Sequence, residues 1–213
     1  MNIALIGGTG FVGSAVLEEL LQRGHQVTAL ARSPAKYSPR AGLTVVAADV
    51  LDATQVAHAV EGHDAVVSAY NPGWAEPQLH DLFLQGSRAI TEGVKRSGVK
   101  RLLVVGGAGS LYVAPGVQLV DTPEFPAEWK QGALAAREAL NLIRQETTLD
   151  WSFLSPAVML APGERTGKFR IGGDEVLMNG DHPAGISVAD LAVALVDEIE
   201  APRHLKRRFT VAY

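Results

Sequence analysis

Residues 2–32 read "NIALIGGTGFVGSAVLEELLQRGHQVTALAR", and this stretch decides the fold. The apolar run 2–6 predicts a short buried strand, and the residues from 11 to 23 place apolar side chains on one face of a helix. Residues 26–31 are apolar again. A strand, a glycine-rich turn, a helix and a second strand form a βαβ unit, which predicts two parallel neighbouring strands.

The turn places Gly7, Gly10 and Gly13 at three-residue spacing between the strand and the helix. Such glycines allow a tight turn, a close approach of the backbone to a diphosphate, and close packing of helix on strand. The amides of Thr9 to Val12 are then expected to point at the phosphates from the positive end of the helix dipole. The motif therefore favours a dinucleotide site; a glycine-rich turn without a ligand is the alternative.

Arg32 ends the second strand, about 20 positions beyond the glycines, where dinucleotide folds meet the adenosine ribose. An acid at this place favours NAD, whereas an arginine favours the 2′-phosphate of NADP. Arg32, with Ser33 and Lys36 beside it, therefore predicts NADP in preference to NAD; the alternative is a solvated surface arginine. Asp49 ends the third apolar run and lies either beside the adenine or as the cap of the following turn.

The rest of the chain repeats the alternation of strand and helix patterns. Strands are predicted at 43–47, 65–68, 101–105 and 151–154, and helices near 54–61, 77–97 and 127–146. The pattern predicts an α/β fold, a Rossmann-type doubly wound parallel sheet flanked by helices, in one NAD(P)-binding domain spanning 1–213.

The C-terminal third departs from this regular alternation. Residues 156–186 contain many Gly and Pro residues and are interpreted as a substrate-side insertion, with a short strand at 169–171 before a Gly-Gly turn. Ser187, with Asp190 three residues later, marks the start of a last helix that ends within 198–202. Residues 209–211 predict an edge strand.

Composition excludes several classes of function. The chain has 213 residues, a net charge of -4 and no cysteine. Its basic run at 206–208 is too short for non-specific electrostatic binding of nucleic acid. Disulfides and thiolate nucleophiles are excluded, and the six histidines show no spacing for a metal site. No apolar run approaches the roughly 18 residues of a membrane helix, and no targeting segment is visible, so we expect a cytoplasmic protein.

With these residues in view, the chain resembles the atypical short-chain dehydrogenase/reductase superfamily. Within it, the chain is similar to the small proteins described as NADH-flavin reductases, relatives of the NmrA-like group. The similarity covers nearly the whole length and rests on "ALIGGTGFVGS", "ARSPAK", "AADVLD", "VVSAYNPG", "VVGGAGSL", "DWSFLSPA", "PGERTGKFRIGGD" and "ISVADLAVALVDEIE". It implies the Rossmann strand order, with the cofactor across the carboxyl ends of the strands.

The resemblance also implies a set of cofactor contacts. The diphosphate would contact Gly7, Thr9, Gly10, Phe11 and Val12; the adenosine phosphate would contact Arg32, and the adenine Asp49 and Val50. The ribose and nicotinamide would be lined by Ser68, Ala69, Tyr70, Gly106, Gly107, Ser155, Pro156 and Ala157.

The chain departs from the superfamily in its catalytic residues. Classical members carry a Tyr-x-x-x-Lys pair, but none of the four tyrosines here is followed by lysine four residues later. The corresponding helix offers Trp129 and Lys130 instead, and Ser110 lies where the superfamily's active-site serine falls. Ser110 and Lys130 are therefore the candidate catalytic residues; the alternatives are a turn-forming serine and a solvated lysine.

Without that pair, the site lacks the general acid that carbonyl reduction needs. A positioned general acid typically raises the reaction rate by about 10²- to 10⁴-fold. Hydride transfer from NADPH to a flavin or quinone-like acceptor demands less of the protein, because the cofactors carry the electronics. We therefore predict such a reductase, with FMN or FAD as a substrate rather than a tightly bound group. Candidate stacking surfaces, for which core packing is the alternative, are Trp74, Trp129, Phe125 and Tyr70.

Three basic residues in the insertion complete the predicted site. Arg165, Lys168 and Arg170 are candidates for holding an anionic group such as a flavin phosphate, and a solvated hairpin is the equal alternative. An alternative function is an NmrA-like redox-sensing regulator that binds NADP without turnover and reports to a protein partner. A sugar epimerase or dehydratase is the least favoured interpretation.

Overall fold

The computed structural model describes all 213 residues and contains fourteen strands and five helices. The strands are β1 (Asn2–Ile6), β2 (Gln26–Ala31), β3 (Leu43–Ala47), β4 (Ala65–Ser68), β5 (Arg101–Val105), β6 (Tyr112–Ala114), β7 (Val117–Gln118), β8 (Asp150–Ser155), β9 (Met159–Ala161), β10 (Arg170–Gly172), β11 (Met178–Asn179), β12 (His182–Pro183), β13 (Gly185–Ser187) and β14 (Arg207–Ala212). The helices are α1 (Phe11–Gln22), α2 (Ala53–Val60), α3 (Leu79–Ser97), α4 (Ala127–Ile143) and α5 (Val188–Glu200).

Eight strands form one central sheet in the order β10-β14-β8-β5-β4-β1-β2-β3. Every neighbouring pair is parallel except β10 and β14, which confirms the predicted doubly wound fold. The chain runs outward from β1 to β3 and then returns to β4 on the other side of β1. Ile6 is in register with Leu30 and with Ser68, so the loops that follow β1, β2 and β4 emerge at one edge.

The helices cover both faces of the sheet. Helices α1 and α5 pack together on one face, and α2, α3 and α4 form a layer on the other. The core on the first face includes Leu20, Leu195 and Phe209, and the core on the second includes Ile90 and Phe153. Strands buried on both sides read as nearly continuous apolar runs, which is why their sequence signal was strong.

The predicted edge strand at 209–211 was placed wrongly. It is β14, and it lies inside the sheet between β8 and the three-residue edge strand β10. Phe209 and Val211 are fully buried on one face, but Arg208 and Thr210 on the other face are buried as well. This alternation of apolar and polar residues resembles a half-exposed strand, which explains the error.

The segment 156–186 is fastened to α5 by Asp190. Ser187 caps α5 by accepting a hydrogen bond from the Asp190 amide at 3.0 Å, as predicted. The Asp190 carboxylate accepts hydrogen bonds from the amides of Thr166 and Gly167, at 2.8 and 2.7 Å, and from the Tyr213 hydroxyl at 2.8 Å. Burial alone would raise the pKa of Asp190, but a hydrogen bond from the Thr166 hydroxyl, together with these three, outweighs burial and lowers that pKa.

None of the five helices has both the length and the apolar character that crossing a membrane requires.

A buried ion pair joins the start of β5 to the end of α5. Arg101 donates to Glu198 at 3.1 Å and to the Ser152 hydroxyl at 2.8 Å, and both charged side chains are at most 10% exposed. Glu198 also accepts from the His204 amide at 3.0 Å and lies 2.8 Å from the His204 ring. Removing one partner of such a pair leaves the other charge buried without compensation.

We therefore expect Glu198→Ala to lower the free energy of unfolding by about 3–5 kcal/mol, measured by urea denaturation at neutral pH. The matched control is Glu92→Ala, which removes only an exposed pair with Arg96 one helical turn away and should cost about 0.3–0.5 kcal/mol. Equal losses in the two variants would contradict a structural role for the buried pair.

Candidate functional site

The glycine turn after β1 is packed too closely for side chains. Gly7 has a φ of +80°, and a Cβ placed there would lie 2.4 Å from the Ala69 carbonyl oxygen at the end of β4. A Cβ at Gly13 would lie 2.0 Å from the Gly7 carbonyl oxygen. The turn therefore contacts β4 and the first turn of α1 directly, backbone against backbone.

The N-terminus of α1 is left open. The Gly10 amide donates to the Gly7 carbonyl at 3.0 Å, so this member of the predicted phosphate-binding set is used within the turn. No side chain caps the helix, and the first amides of a helix have no intrahelical acceptor. The amides of Phe11, Val12 and Gly13 therefore remain for an external acceptor.

The electrostatics of the helix starts single out α1. Each of the other four helices has a carboxylate as its cap or in its first turn: Asp52 in α2, Asp81 in α3, Glu128 in α4 and Asp190 in α5. Helix α1 has none. Because a helix N-terminus attracts negative charge, the one helix without its own carboxylate is suited to an anion from outside the chain.

Positive charge lies beyond the end of β2. Arg32 is exposed and makes no hydrogen bond or ion pair with the protein, and Ser33 and Lys36 are exposed beside it. Arg32 follows β2 and Tyr70 follows β4, and both of these strands flank β1. Burial raises the pKa of Tyr70 to about 12, and the Arg32 charge partly opposes this rise. The guanidinium therefore stands unpaired at the same edge as the glycine turn.

Asp49 caps a turn in this structure. Its carboxylate accepts from the Leu51 amide at 3.0 Å, and its own amide donates to the Gln55 side chain at 2.9 Å. This is the capping alternative of the sequence interpretation. Its neighbour Val50 is buried. One oxygen of the Asp49 carboxylate is thus engaged in this turn, and Arg32 forms no ion pair with it.

The residues at the end of β4 and just after it pack against α3 as well as border the crevice. The Tyr70 hydroxyl donates to the Leu82 carbonyl at 3.0 Å, and its ring lies over Gly86, where a Cβ would be 2.3 Å from it. Tyr70 is therefore held against α3, as the core-packing alternative supposed. The Ser68 side chain faces a cavity of about 340 Å³ between α3 and α4, so its side chain points away from the predicted cofactor path.

The ends of β5 and β8 bring their predicted residues together. The Gly106 amide donates to the Leu154 carbonyl at 2.8 Å, and a Cβ at Gly106 would lie 1.9 Å from the Phe153 ring. Gly107 is half-buried beside it, Pro156 is half-buried and Ala157 is buried. These backbone segments follow neighbouring parallel strands and therefore border the same crevice.

Ser110 and Ser155 share a buried arginine that the sequence interpretation missed. Arg208, from β14, donates to the Ser110 hydroxyl at 3.2 Å and to the Ser155 hydroxyl at 3.4 Å. Asp174 holds the guanidinium from its other side at 2.6 Å. Ser110 is only 2% exposed. A charged residue amid the apolar residues of β14 was the available signal.

An aromatic pair lies where the loop after β4 meets the start of α4. The rings of Trp74 and Trp129 are 4.9 Å apart, edge to face, and are 57% and 45% exposed. The Trp74 ring also covers Gly132, where a Cβ would be 2.5 Å away. Lys130 is exposed and has no partner, and Phe125 is half-buried. Of the predicted stacking residues, these two tryptophans are the exposed ones.

Two of the three basic residues of the insertion are held by protein groups. Arg165 forms two hydrogen bonds with Glu19, at 2.7 and 2.8 Å, and Arg170 donates to the carbonyls of Tyr213 and Met178. Lys168 is exposed without a partner. Glu19 lies on the buried face of α1, where both Arg23 and Arg165 pair with it, so Arg165 has a structural role. The hydrogen bond from Arg165 is the main cause that lowers the pKa of Glu19.

A parallel sheet with a glycine-rich, uncapped helix start at its switch point defines an NAD(P)-binding protein of the Rossmann type. Residues 7–202 match the family model described as NAD(P)H-binding, and the chain belongs to that family. This places it in the atypical short-chain dehydrogenase/reductase group, as its sequence indicated.

Three solved structures are similar to the chain over its whole length. A provisionally named exported protein from Burkholderia pseudomallei is 45% identical, with a TM-score of 0.90 over 100% of both chains. A provisionally named epimerase from Bacteroides thetaiotaomicron is 43% identical, with a TM-score of 0.93 over 100% of this chain and 96% of the other. A provisionally named NADH-flavin reductase from Streptococcus pneumoniae is 36% identical, with a TM-score of 0.86 over 100% of this chain and 99% of the other.

The close contact at Gly13 is testable by adding one methyl group. We expect Gly13→Ala to lower the free energy of unfolding by about 1–3 kcal/mol and to weaken NADPH binding at least about tenfold, because the turn must move away from α1. Thermal unfolding and titration of NADPH fluorescence measure the two effects. Gly173→Ala is the control, since a Cβ there meets nothing within 4 Å. Unaltered NADPH affinity in Gly13→Ala would contradict the placement of the diphosphate.

Proposed function

We propose that the protein is a reductase that uses NADPH to reduce a flat conjugated acceptor, a flavin or a quinone-like molecule. The observation that carries this proposal is the combination of a dinucleotide crevice with the lack of a Tyr-x-x-x-Lys pair. Family membership supports NAD(P)H binding; the choice of acceptor is inferred from the side chains around the crevice.

The cofactor would be held mainly by backbone. The amides of Thr9, Phe11 and Val12 would bind the diphosphate, and Arg32 would bind the 2′-phosphate with help from Ser33 and Lys36. A bound NADPH supplies the hydride. The unpaired Arg32, with Asp49 occupied as a turn cap, supports NADP over NAD.

Three of the four tyrosines are engaged by other parts of the fold, and none of the four is followed by lysine four residues later. The Tyr37 hydroxyl packs against the glycine turn, where a Cβ at Gly8 would lie 2.6 Å from it, and the Tyr70 hydroxyl donates to the Leu82 carbonyl. The Tyr213 hydroxyl donates to Asp190. A carbonyl substrate would need a general acid at the forming alkoxide, so this arrangement favours an acceptor that the protein needs only to bind and orient.

The remaining polar groups suit a binding role. Because Arg208 donates to the Ser110 oxygen, the hydroxyl proton of Ser110 stays available for an acceptor oxygen or ring nitrogen. Lys130, unpaired on the first turn of α4, lies next to the exposed Trp129 and can attract an anionic substituent. The Trp74–Trp129 pair offers apolar surface against which a flat ring can pack.

We expect the purified protein to oxidise NADPH faster than buffer does when FMN, riboflavin or a soluble quinone is added, followed by the loss of absorbance of NADPH. The reason is that the crevice would bring the nicotinamide and the acceptor ring together. In Trp74→Ala the KM for the acceptor should rise several-fold while the affinity for NADPH stays unchanged. In Trp74→Phe, which keeps an aromatic ring, the KM for the acceptor should stay close to that of the unaltered protein.

The outcome against this proposal is tight NADPH binding with no acceleration by any acceptor of the panel. Combined with a protein partner whose retention changes between NADP and NADPH, that result would support the redox-sensing regulator instead. Failure to bind either nicotinamide would end both proposals.

Cofactor preference has its own test at Arg32. NADPH should bind more tightly than NADH, and Arg32→Ala should weaken NADPH binding by about 10- to 100-fold while leaving NADH binding unchanged, because a charged hydrogen bond to the phosphate is lost. Fluorescence titration with both nucleotides measures this. Arg40→Ala, which removes an exposed arginine paired with Glu18, is the control. Equal affinity of the unaltered protein for the two nucleotides contradicts the assignment.

A further inference from the structure

A second concave surface lies away from the cofactor crevice. It is a cavity of about 510 Å³ beside the starts of β8 and β14, at the sheet edge opposite the one that the glycine turn occupies. We call it the basic cleft and define it by Arg144, Asp174, Lys206, Arg207 and Arg208. Its other lining residues are Trp151, Ile171, Gly172, Gly173 and His204.

The cleft concentrates charge of the sign opposite to that of the whole chain. Its lining includes two apolar side chains, four arginine or lysine side chains and one carboxylate, that of Asp174, which leaves three positive charges uncompensated with His204 neutral. The whole chain carries a net charge of -4. Cations gathered in a concavity repel one another and attract small anions.

Asp174 cannot neutralise these cations. It accepts from Arg208 at 2.6 Å and from Arg144 at 3.3 Å, so a single carboxylate serves two guanidiniums. Lys206 donates to the Thr147 carbonyl, which is uncharged, at 2.7 Å. Arg207 is exposed, and its side chain makes no hydrogen bond or ion pair.

The backbone leaves the cleft open. A Cβ at Gly173 would meet no atom within 4 Å, and the amides of Gly173 and Asp174 donate to no acceptor in the structure. On the opposite wall, Lys206 has a φ of 56°, a region that non-glycine residues rarely adopt, and its amide is held by the Trp151 carbonyl at 2.6 Å. This turn at Lys206 directs Arg207 and Arg208 into the next strand.

We propose that the basic cleft binds a phosphate dianion, either inorganic phosphate or the phosphoryl group of a small metabolite. Arg207 and Arg144 would supply guanidinium donors, which match phosphate oxygens in pairs, and the Gly173 turn would supply amides. The cleft is a single open concavity of small-ligand size rather than an extended basic stripe, which favours a small anion over a nucleic acid. This inference does not rest on the proposed reductase activity.

Isothermal titration of the full chain with inorganic phosphate, and separately with glycerol 3-phosphate, tests the proposal. With the cofactor crevice filled by saturating NADPH, we expect one further anion per chain and about tenfold weaker binding in Arg207→Ala, with a smaller loss in Arg207→Lys. Because Arg207 has no partner in the structure, both variants should keep the thermal unfolding temperature of the unaltered protein. Tighter binding of glycerol 3-phosphate than of inorganic phosphate would identify a phosphorylated metabolite as the ligand, and the reverse order would identify free phosphate.

Two variants separate the basic cleft from other sources of anion binding. Arg96→Ala removes the same charge from an exposed site on α3 and should leave phosphate affinity unchanged. Arg32→Ala alters the cofactor crevice and should also leave it unchanged. The proposal is overturned if Arg96→Ala weakens binding as much as Arg207→Ala, if only Arg32→Ala weakens it, or if no phosphate binds.

Discussion

The structure depends on a backbone contact at the switch point of the sheet. The Gly7 carbonyl packs against the Cα of Gly13, where a side chain would collide with it. The Ala69 carbonyl packs against Gly7 in the same way. These contacts fix β1, α1 and β4 at distances that no other residue type permits. Because the helix then begins directly over the turn, its first amides open at the carboxyl edge of the sheet, and the crevice follows from the packing rather than from any single polar side chain.

The sequence was sufficient for the fold because the fold's signals are local. Strands β1, β2, β3, β4 and β5 have the bounds that their apolar runs predicted. Strands β1, β4 and β5 are largely buried on both faces and so read as continuous apolar runs, and the edge strand β3 keeps an apolar run although it is only partly buried. The short hairpins β6–β7 and β11–β12 were not predicted. Strands of two or three residues carry too few side chains for a period to be visible, and β14 looked like an edge only because its polar residues are buried by partners elsewhere in the chain.

The candidate site also combines residues that local sequence signals identify with residues whose roles depend on long-range contacts. The glycine spacing and Arg32 could be identified within a stretch of thirty-one residues, whereas the roles of Arg165 and Ser110 depend on contacts that are far apart in the chain. Arg165 meets Glu19 across 146 positions, and Ser110 meets Arg208 across 98. Glu19 on the apolar face of α1 was a hint that some cation must reach it. Arg23, four residues later at the end of α1, is one such partner at 2.6 Å. The pairing with Arg165 could not be predicted, because contacts so far apart in the chain are decided by the tertiary fold.

The position of β14 between β8 and β10 has a consequence for the order of events during synthesis. β10 leaves the ribosome before β14 does, yet β14 is its only neighbour in the sheet. Until residues 207–212 emerge, β8 is an unprotected border of a growing parallel sheet, and the segment that carries β10 has nothing to lie against. A nascent chain stalled before this point would expose the bare flank of β8, the kind of surface that chaperones shield and that promotes association between incomplete chains.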